Sequence, residues 1–301
     1  MTVASTAQWV SAARPRTLPA AIAPVLVGSG AAVAVLRHDG GEWTTRSWVA
    51  ALLSMIVALA LQVGVNYAND YSDGVRGTDG EHRIGPFRRV GSGAAEPRAV
   101  KFAAFACFGV AAVAGLVLAL MTAWWLILIG AAAIAAAWLY TGGPRPYGYA
   151  GFGELFVFVF FGLVAVLGTT YVIAGRTSLS SIALAVGTGL LACAILVANN
   201  LRDVDTDAHT GKHTLAVLLG DGLTRRIYVA LIAAALLAVV VVALRHPWCL
   251  LALAAALPAY PPARAVWRGA RGPALIPVLA ATGMTEFVYA LLLVAGFLIG
   301  G

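Results

Sequence analysis

The chain consists of long apolar segments, each about long enough to cross a membrane, with polar segments between them. Long stretches dominated by Ala, Val, Leu, Ile and Phe recur and are separated by short polar segments. Because a helix needs about 20 mostly apolar residues to cross a bilayer, the pattern predicts nine transmembrane helices. Their predicted spans are 18–36, 47–68, 99–121, 123–140, 153–174, 180–200, 226–244, 248–267 and 276–299.

The composition agrees with a chain that lies mainly within the membrane. Of 301 residues, 61% are hydrophobic and only 11% are charged, whereas a soluble domain carries about 25% charged residues. No segment is polar enough or long enough for a separate soluble domain. We therefore expect an all-α, polytopic membrane protein in which residues 1–301 form a single integral membrane domain.

The basic residues fall mainly on alternate connections between the predicted helices. With the N-terminus inside, only four of the 20 Lys and Arg residues lie outside: Arg37, Arg46, Arg176 and Arg245. The positive-inside rule then predicts a protein of the cell membrane with a cytoplasmic N-terminus and an external C-terminus. The first helix is needed for this pattern, so we expect it to be retained. The net charge of +7 fits basic loops near anionic lipids or an anionic substrate, and no nucleic-acid-binding module is visible.

A first acidic stretch follows the second predicted helix, at residues 66–79. It contains Asn66, Asn69, Asp70, Asp73 and Asp79. Carboxylates at the end of a membrane-length helix are costly, so they indicate a function. If the helix continues through the stretch, Asn66, Asp70 and Asp73 lie on one face, at i, i+4 and i+7.

A second acidic stretch, at residues 199–207, ends the sixth predicted helix. Asp203 and Asp207 are four residues apart and share a face, whereas Asp205 points elsewhere. Six of the 13 acidic residues lie in the two stretches. Clustered carboxylates are tolerated around a divalent cation, and Mg²⁺ typically takes one or two of them together with phosphate oxygens. The two acidic stretches together predict two metal-binding arms on either side of a polyphosphate. The simpler alternative is that both stretches are polar turns in which Asp and Asn cap helix ends.

Basic and aromatic side chains in the loops on the same side supply candidate phosphate contacts. The connection at 71–98 is rich in Gly and Arg, including Arg76, and is typical either of a diphosphate lid or of a flexible positive-inside loop. Arg202 and Lys212 flank the second acidic stretch. Tyr140 and Arg145 lie in a third loop, within reach of a phosphate or an aromatic acceptor.

Three other polar residues near these loops have weaker assignments. Tyr147 and Tyr149 are favoured as members of an interfacial aromatic belt. Glu154 begins the fifth predicted helix, where an isolated carboxylate is expected to pair with an arginine or to act in catalysis.

Both acidic motifs together resemble a known family. The sequence Asn69-Asp70-Tyr-Ser-Asp73 with Asp79, paired with Asp203-x-x-x-Asp207, resembles the aspartate-rich motifs of the UbiA superfamily of intramembrane aromatic prenyltransferases. The resemblance extends over essentially the whole chain. Four further segments resemble the branch that prenylates 1,4-dihydroxy-2-naphthoate in menaquinone synthesis, as does the spacing of five residues between Asp73 and Asp79. These segments are residues 12–19, 69–77 less strictly, 83–86, and 200–207 with 211–212.

The resemblance implies a fold, substrates and site residues. The helices would surround a central chamber open to lipid. Polyprenyl diphosphate and 1,4-dihydroxy-2-naphthoate would be the substrates, and loss of CO₂ and diphosphate would give demethylmenaquinone. Two Mg²⁺ ions would be held by the catalytic carboxylates Asp70, Asp73, Asp203 and Asp207, with Asn66, Asn69 and Asp79 as further candidate ligands. The implied diphosphate contacts are Lys212, Arg202, Arg145, Arg76 and Tyr140.

Other functions remain open on the sequence alone. Within the same enzyme class, the acceptor is alternatively 4-hydroxybenzoate, haem or a phosphosugar. A cation-coupled transporter would place ionisable residues near helix midpoints and use broken helices, whereas the acidic clusters here lie at helix ends on one side. A scaffold or lipid-binding protein would not need two carboxylate pairs with metal-ligand spacing.

Overall fold

In the part of the chain that it describes, the structure contains helices and turns and no strands. This computed structural model describes residues 6–77, 90 and 95–300. These helices confirm the predicted all-α fold class. The helices are α1 (Thr6–Ala13), α2 (Pro19–His38), α3 (Thr45–Arg76), α4 (Pro97–Met121), α5 (Leu126–Leu139), α6 (Gly153–Ala174), α7 (Leu179–His209), α8 (Leu215–Leu219), α9 (Asp221–Ala243), α10 (Pro247–Trp267) and α11 (Gly272–Ile299).

The expected number of long membrane helices was wrong by one. Among the described helices, eight are long and apolar enough to cross a membrane. The fourth predicted span is instead α5, whose 14 residues extend roughly 21 Å, less than the hydrocarbon thickness of about 30 Å. Residues 123–125 form a turn rather than helix, with the Leu126 N–H donating to the Ala123 carbonyl at 3.1 Å.

The residues before and after the short helix α5 are hydrogen-bonded to opposite ends of α3. At the start of α3, Arg46 donates to the carbonyl of Met121, just before α5, at 2.8 Å. Beyond the other end of α5, Thr141 donates to Asn69 near the end of α3, at 2.7 Å. The loop that follows α5 is thereby brought to the face of the bundle that carries the acidic stretches.

Apolar side chains pack the helices into three core clusters. One core is built mainly from α2, α7, α9, α10 and α11, and includes Leu184, Tyr228 and Tyr289. A second core is built from α1, α3, α4 and α5, and includes Tyr67 and Phe108. A third, smaller core joins α2, α3, α4 and α6. Residues from the three clusters line a cavity of about 810 Å³ whose walls are mainly apolar, in agreement with the expected chamber. We call this cavity the chamber.

Glycine permits a close contact between α6 and α7. A Cβ atom on Gly162 would lie 2.6 Å from the Cα of Gly189 and 2.7 Å from the carbonyl oxygen of Ala185. Such close approach of two backbones is how small residues stabilise helix pairs within a membrane. The same part of α6, Phe158–Leu167, is π-helical, a geometry that often occurs near functional sites.

We expect Gly162→Ala to destabilise the protein. Alanine normally favours a helix over glycine by roughly 0.5–1 kcal/mol, but here the methyl group would collide with α7, and overpacking costs about 1–3 kcal/mol. The thermal unfolding midpoint in detergent is the measurement. Gly168→Ala on the same helix is the matched control, because a Cβ atom at that position would have no neighbouring atom within 4 Å. An equal midpoint for both variants would contradict the close contact.

Candidate active site

The helices that carry the acidic stretches continue beyond their predicted ends at 68 and 200, because α3 runs to Arg76 and α7 to His209. The condition under which the aspartates of each stretch share a helix face is therefore met in the described residues. Helix α3 runs through Asp70 and Asp73, whose exposed fractions are only 1% and 3%. Helix α7 runs through Asp203 and Asp207, while Asp205 is exposed. We call the pair on α3 the first acidic arm and the pair on α7 the second acidic arm.

The two arms meet around Asp73. The ammonium nitrogen of Lys212 lies 3.3 Å from the Oδ1 atom of Asp73. The backbone N–H of Lys212 donates to the carbonyl of Asp207 at 2.9 Å, which fixes the loop after α7. Asp207 is also close enough to Asp73 for their charges to repel. One lysine therefore lies between carboxylates from two helices that are far apart in the sequence.

Tyr149 completes this arrangement. Its hydroxyl group donates to the Oδ1 atom of Asp73, and the Lys212 ammonium lies 4.6 Å from the centre of its ring. The Arg76 guanidinium lies 5.3 Å from the same ring centre. Burial, together with the charge of Asp73, raises the pKa of the Tyr149 phenol, so the phenol stays protonated and remains a donor. Cations over an aromatic face are attracted by its quadrupole.

In the second acidic arm, Asp203 is paired with its neighbour. The Arg202 guanidinium donates to both carboxylate oxygens of Asp203, at 2.7 and 2.5 Å, and to the amide oxygen of Asn199 at 2.9 Å. Arg202 is buried and also borders the chamber. Its side chain is therefore placed between a carboxylate and the chamber, where a phosphate would compete for the same donors.

The loop at residues 140–152, which we call the bridging loop, connects the two arms. Arg76, at the end of α3, donates to the carbonyls of Thr141 and Gly143. Thr141 in turn holds Asn69, as described above. On the other side, the His213 N–H donates to the carbonyl of Tyr149 at 2.8 Å. The loop thus contacts the end of α3 and the segment after α7.

Asn66 faces the N-terminal part of the chain. Its amide nitrogen donates to the Ala13 carbonyl at 2.9 Å and to the Thr17 hydroxyl at 3.0 Å. Gln62, one turn earlier, also donates to the Thr17 hydroxyl at 3.0 Å. These bonds attach residues 13–17, here called the N-terminal turn, to α3.

The other predicted site residues have different surroundings. Tyr140 borders the chamber, and Arg145 is exposed on the bridging loop. Arg76 is exposed at its position on α3, and its side chain holds the bridging loop as described. Asp79 lies outside the described residues. The expected arginine partner of Glu154 was wrong, because its Oε1 atom accepts a hydrogen bond from Asn200 at 2.8 Å.

The polar residues form one end of the chamber and apolar residues form its walls. Asn66, Asn69, Asn199 and Arg202 border it near the acidic arms. Aromatic and aliphatic side chains, among them Leu61, Val65, Phe156 and Phe160, border the rest. Such a site accommodates a ligand with a charged head and an apolar body.

The donor chemistry at the arms fits a hard divalent cation. Asp70, Asp73, Asp203 and Asp207 supply carboxylate oxygens, and Asn69 supplies an amide oxygen; several of these oxygens also accept hydrogen bonds from protein groups. Within residues 6–77, 90 and 95–300, no three His, Cys, Asp or Glu side chains are close enough to form a metal site by themselves. Mg²⁺ commonly takes only one or two carboxylates, with substrate phosphates and water as the other ligands. The residues present therefore fit a metal ion that binds together with a diphosphate.

Tyr149 in the site and Glu286 elsewhere on α11 had weak or no signals in the sequence. Tyr149 was expected at a membrane interface, and nothing local indicates its contact with Asp73, because the two residues are 76 positions apart. Glu286 was not singled out, although it is a carboxylate in the middle of an apolar run. It is fully buried, and neither of its oxygens has a hydrogen-bond partner in the described part of the protein.

The fold is a helical bundle around an apolar chamber, with two acidic arms and basic side chains at one end. These features define a class of membrane proteins whose ligands are lipids with an anionic head group and an apolar chain. Residues 21–274 match the model of the UbiA prenyltransferase family, and the chain belongs to that family.

Several proteins resemble the chain over almost its full length. It is 56% identical over 300 residues to 1,4-dihydroxy-2-naphthoate octaprenyltransferase of Mycobacterium tuberculosis, covering 99% of both chains. It is 35% identical to the Escherichia coli protein of the same name, covering 98% of this chain and 96% of the relative.

Solved structures show the same fold at low sequence identity. A UbiA homologue from Archaeoglobus fulgidus bound to GPP and Mg²⁺ has a TM-score of 0.66 and 16% identity, covering 96% of this chain and 99% of the other. An apo UbiA homologue from Aeropyrum pernix has a TM-score of 0.67 and 16% identity, covering 92% and 97%. These similarities confirm the fold.

We expect Tyr149→Phe to weaken metal binding at the site. The variant keeps the ring beside Lys212 and Arg76 but removes the hydroxyl that orients Asp73, which we expect to lower metal affinity roughly 10- to 100-fold, as for other outer groups that orient a ligand. Binding of Mn²⁺ in the presence of inorganic diphosphate, followed by electron paramagnetic resonance, measures the effect.

Tyr147→Phe is the matched control for this experiment. Tyr147 lies in the same turn, but its hydroxyl donates to the backbone carbonyl of Ala136 at 2.9 Å. Equal Mn²⁺ affinities in the two variants would show that the Tyr149 hydroxyl does not position Asp73.

Proposed function

We propose that this protein transfers a polyprenyl group from polyprenyl diphosphate to 1,4-dihydroxy-2-naphthoate, with loss of CO₂ and diphosphate, to give demethylmenaquinone. The observation that carries the proposal is the meeting of Asp73, Asp207 and Lys212 beside the residues that form the polar end of an apolar chamber. The names of full-length relatives support the naphthoate as the acceptor.

The proposed metal is Mg²⁺, with two ions in the complete site. Asp70 and Asp73 would hold one, and Asp203 and Asp207 the other, while Asn66 and Asn69 orient these carboxylates or ligate directly. When bound, Mg²⁺ supplies charge neutralisation of the diphosphate as it leaves. The Archaeoglobus fulgidus homologue has been solved bound to GPP and Mg²⁺ together, which supports a divalent metal in this family.

The basic side chains and the apolar chamber have different roles in the proposed reaction. Lys212 and Arg202 bind phosphate oxygens through charged hydrogen bonds, with Arg76, Arg145 and Tyr140 as further proposed contacts. The apolar walls hold the prenyl chain and exclude water from the electron-deficient carbon that forms as the diphosphate departs. The ring of the acceptor then reaches this carbon from within the same chamber.

We also propose the placement of the enzyme in the cell. Residues 1–301 form one multi-pass domain in the cell membrane, with the N-terminus and the acidic arms on the cytoplasmic side and the C-terminus outside. The distribution of basic residues supports this orientation.

The decisive experiment is prenyl transfer by the purified protein in detergent. Polyprenyl diphosphate is supplied with 1,4-dihydroxy-2-naphthoate or with 4-hydroxybenzoate, in Mg²⁺ and after metal removal by EDTA. We expect a prenylated product and release of CO₂ with the naphthoate alone, and only in Mg²⁺. Product from 4-hydroxybenzoate instead would overturn the proposed acceptor.

Asp203→Asn is expected to lower transfer by at least 100-fold, because an uncharged amide cannot neutralise a metal ion. Asp205→Asn is the matched control, two residues away on the same helix, with an exposed side chain. We expect it to retain activity within a factor of about three, since surface substitutions have small effects. Initial rates at saturating Mg²⁺ measure both, and equal losses would contradict the assignment of Asp203.

Lys212→Met should raise KM for polyprenyl diphosphate about 10- to 100-fold, the loss typical of one hydrogen bond to a charged group. KM for the naphthoate should change little, because Lys212 lies among the carboxylates rather than along the chamber. Steady-state kinetics with each substrate varied in turn provide the test. A larger change in the naphthoate KM would assign Lys212 to the acceptor.

A further inference from the structure

The ends of three helices meet at a corner of the bundle, around Asp221. Asp221 is the first residue of α9, and its carboxylate accepts two hydrogen bonds from Arg225, at 2.7 and 2.8 Å. Arg225 is buried and also donates to the carbonyl of Val266, near the end of α10, at 2.7 Å. The guanidinium of Arg271, just before α11, lies 3.5 Å from the Asp221 carboxylate. These contacts fix the ends of α9, α10 and α11 relative to one another.

This corner carries more positive than negative charge. Asp221 is the only acidic residue between positions 208 and 285, and Arg225 already occupies both of its oxygens. Arg264 and Arg268, at the end of α10, have exposed side chains. In the part of the chain that the structure describes, neither of these two side chains has a hydrogen bond or an ion pair with the protein. Their charges are therefore left for a ligand or for solvent.

Three of the four arginines expected outside the membrane have a different arrangement. Arg37 and Arg46 donate to backbone carbonyls, at 2.6 and 2.8 Å, and Arg176 donates to the carboxylate of Asp39 at 2.6 Å. The protein thus supplies acceptors for these side chains, which it does not do for the two arginines at the end of α10.

An exposed stripe along α10 leads to these two arginines. Positions three or four residues apart share a face of a helix, and the stripe consists of Leu257, Tyr260, Arg264, Trp267 and Arg268. Its aliphatic and aromatic members are highly exposed, at 76% for Leu257, 64% for Tyr260 and 63% for Trp267. Towards the end of the helix the stripe changes from aliphatic to aromatic to basic. A membrane leaflet has the same order, from hydrocarbon through the interfacial aromatic belt to charged headgroups.

We propose that this stripe, together with Arg271, is a binding site for an anionic phospholipid. The phosphodiester of the lipid binds to Arg264, Arg268 and Arg271, and an acyl chain lies along Leu257 and Tyr260. Guanidinium groups bind phosphate oxygens through charged hydrogen bonds, often two at a time. Each basic residue near an anionic headgroup strengthens such binding about fivefold. The bound lipid joins the end of α10 to the start of α11.

A membrane lipid fits this site better than the diphosphate of the proposed substrate. Among the described residues that line the chamber, none belongs to the stripe, and Arg271 is not among them either. The negative end of the helix dipole also favours basic residues at the end of α10, but it does not account for the exposed aliphatic and aromatic residues that precede them. The inference goes beyond the proposed function and is independent of it, because lipid binding requires no turnover.

The test compares the binding of two lipids with the same acyl chains to the full-length protein in detergent. Phosphatidylglycerol carries a net negative charge, whereas the choline group of phosphatidylcholine adds a positive charge that the arginines repel. Native mass spectrometry measures the affinity of each lipid. We expect the wild type to bind phosphatidylglycerol about 10- to 100-fold more tightly, the effect of two or three basic residues. Equal affinities for the two lipids would overturn the proposal.

The double variant Arg264→Gln/Arg268→Gln should bind phosphatidylglycerol roughly 25-fold more weakly, about fivefold for each arginine, with phosphatidylcholine binding unchanged. Because neither side chain is hydrogen-bonded to the described protein, the unfolding midpoint in lipid-free detergent should equal that of the wild type. Unchanged binding of phosphatidylglycerol would contradict the site. Arg264→Lys/Arg268→Lys keeps both charges and should retain the preference to within about threefold; loss of the preference in this variant would contradict a site that depends on charge.

Arg245→Gln is the matched control for net charge. Arg245 is an exposed arginine just after the opposite end of α9, and we expect its removal to change the affinity for phosphatidylglycerol by less than about twofold. An equal loss per arginine in this variant would show a general effect of net charge and argue against a site on α10. Millimolar inorganic phosphate should not displace the lipid, because it gains nothing from the apolar part of the stripe. Displacement would assign the arginines to free phosphate instead.

Discussion

The structure depends on the burial of several carboxylates at the end of an apolar chamber. Asp70, Asp73 and Asp207 are all at most 9% exposed, and an isolated buried charge is very costly. The chain meets this constraint by placing cations and donors from distant segments beside them. Lys212 and Tyr149 contact Asp73, and Arg202 pairs with Asp203. Three segments that are far apart in the sequence must therefore be assembled before the site exists.

This requirement explains the contacts of the bridging loop and the N-terminal turn. Arg76 and His213 hold the bridging loop from opposite sides, and Gln62 and Asn66 hold the N-terminal turn. Each of these contacts uses a side chain or backbone group on one of the segments that carry the acidic arms. The residues flanking the aspartates thus position the walls of the site.

The sequence predicted the parts of the structure that depend on local spacing. Residues 66–73 and 203–207 continue their helices, so the faces of Asp70, Asp73 and Asp207, and the exposure of Asp205, followed from the helical period. The length of α5 did not follow, because a turn at 123–125 interrupts an apolar run without any polar residue except Thr122 to mark it.

Contacts between distant segments were also beyond sequence reasoning. Nothing near Tyr149 shows that it reaches Asp73, and nothing near Glu154 shows that Asn200 is its partner. The same holds for Arg14, whose backbone is left-handed with φ 53° and whose carbonyl accepts hydrogen bonds from Thr17. In the sequence, these residues look like ordinary members of interfacial loops. Only the packing of the helices shows which of them contact a distant segment.

The pairing of cations with carboxylates has a thermodynamic consequence for the proposed reaction. Lys212 and Arg202 each have a carboxylate partner in this structure, and both are proposed to bind phosphate. A diphosphate must compete with Asp73 and Asp203 for these cations, whereas a metal ion must compete with the cations for the same carboxylates. With both bound, each carboxylate would have a metal ion as partner and each cation a phosphate oxygen, so no buried charge would be left without a partner. Binding of either one would therefore favour binding of the other, and by linkage the effect would be reciprocal.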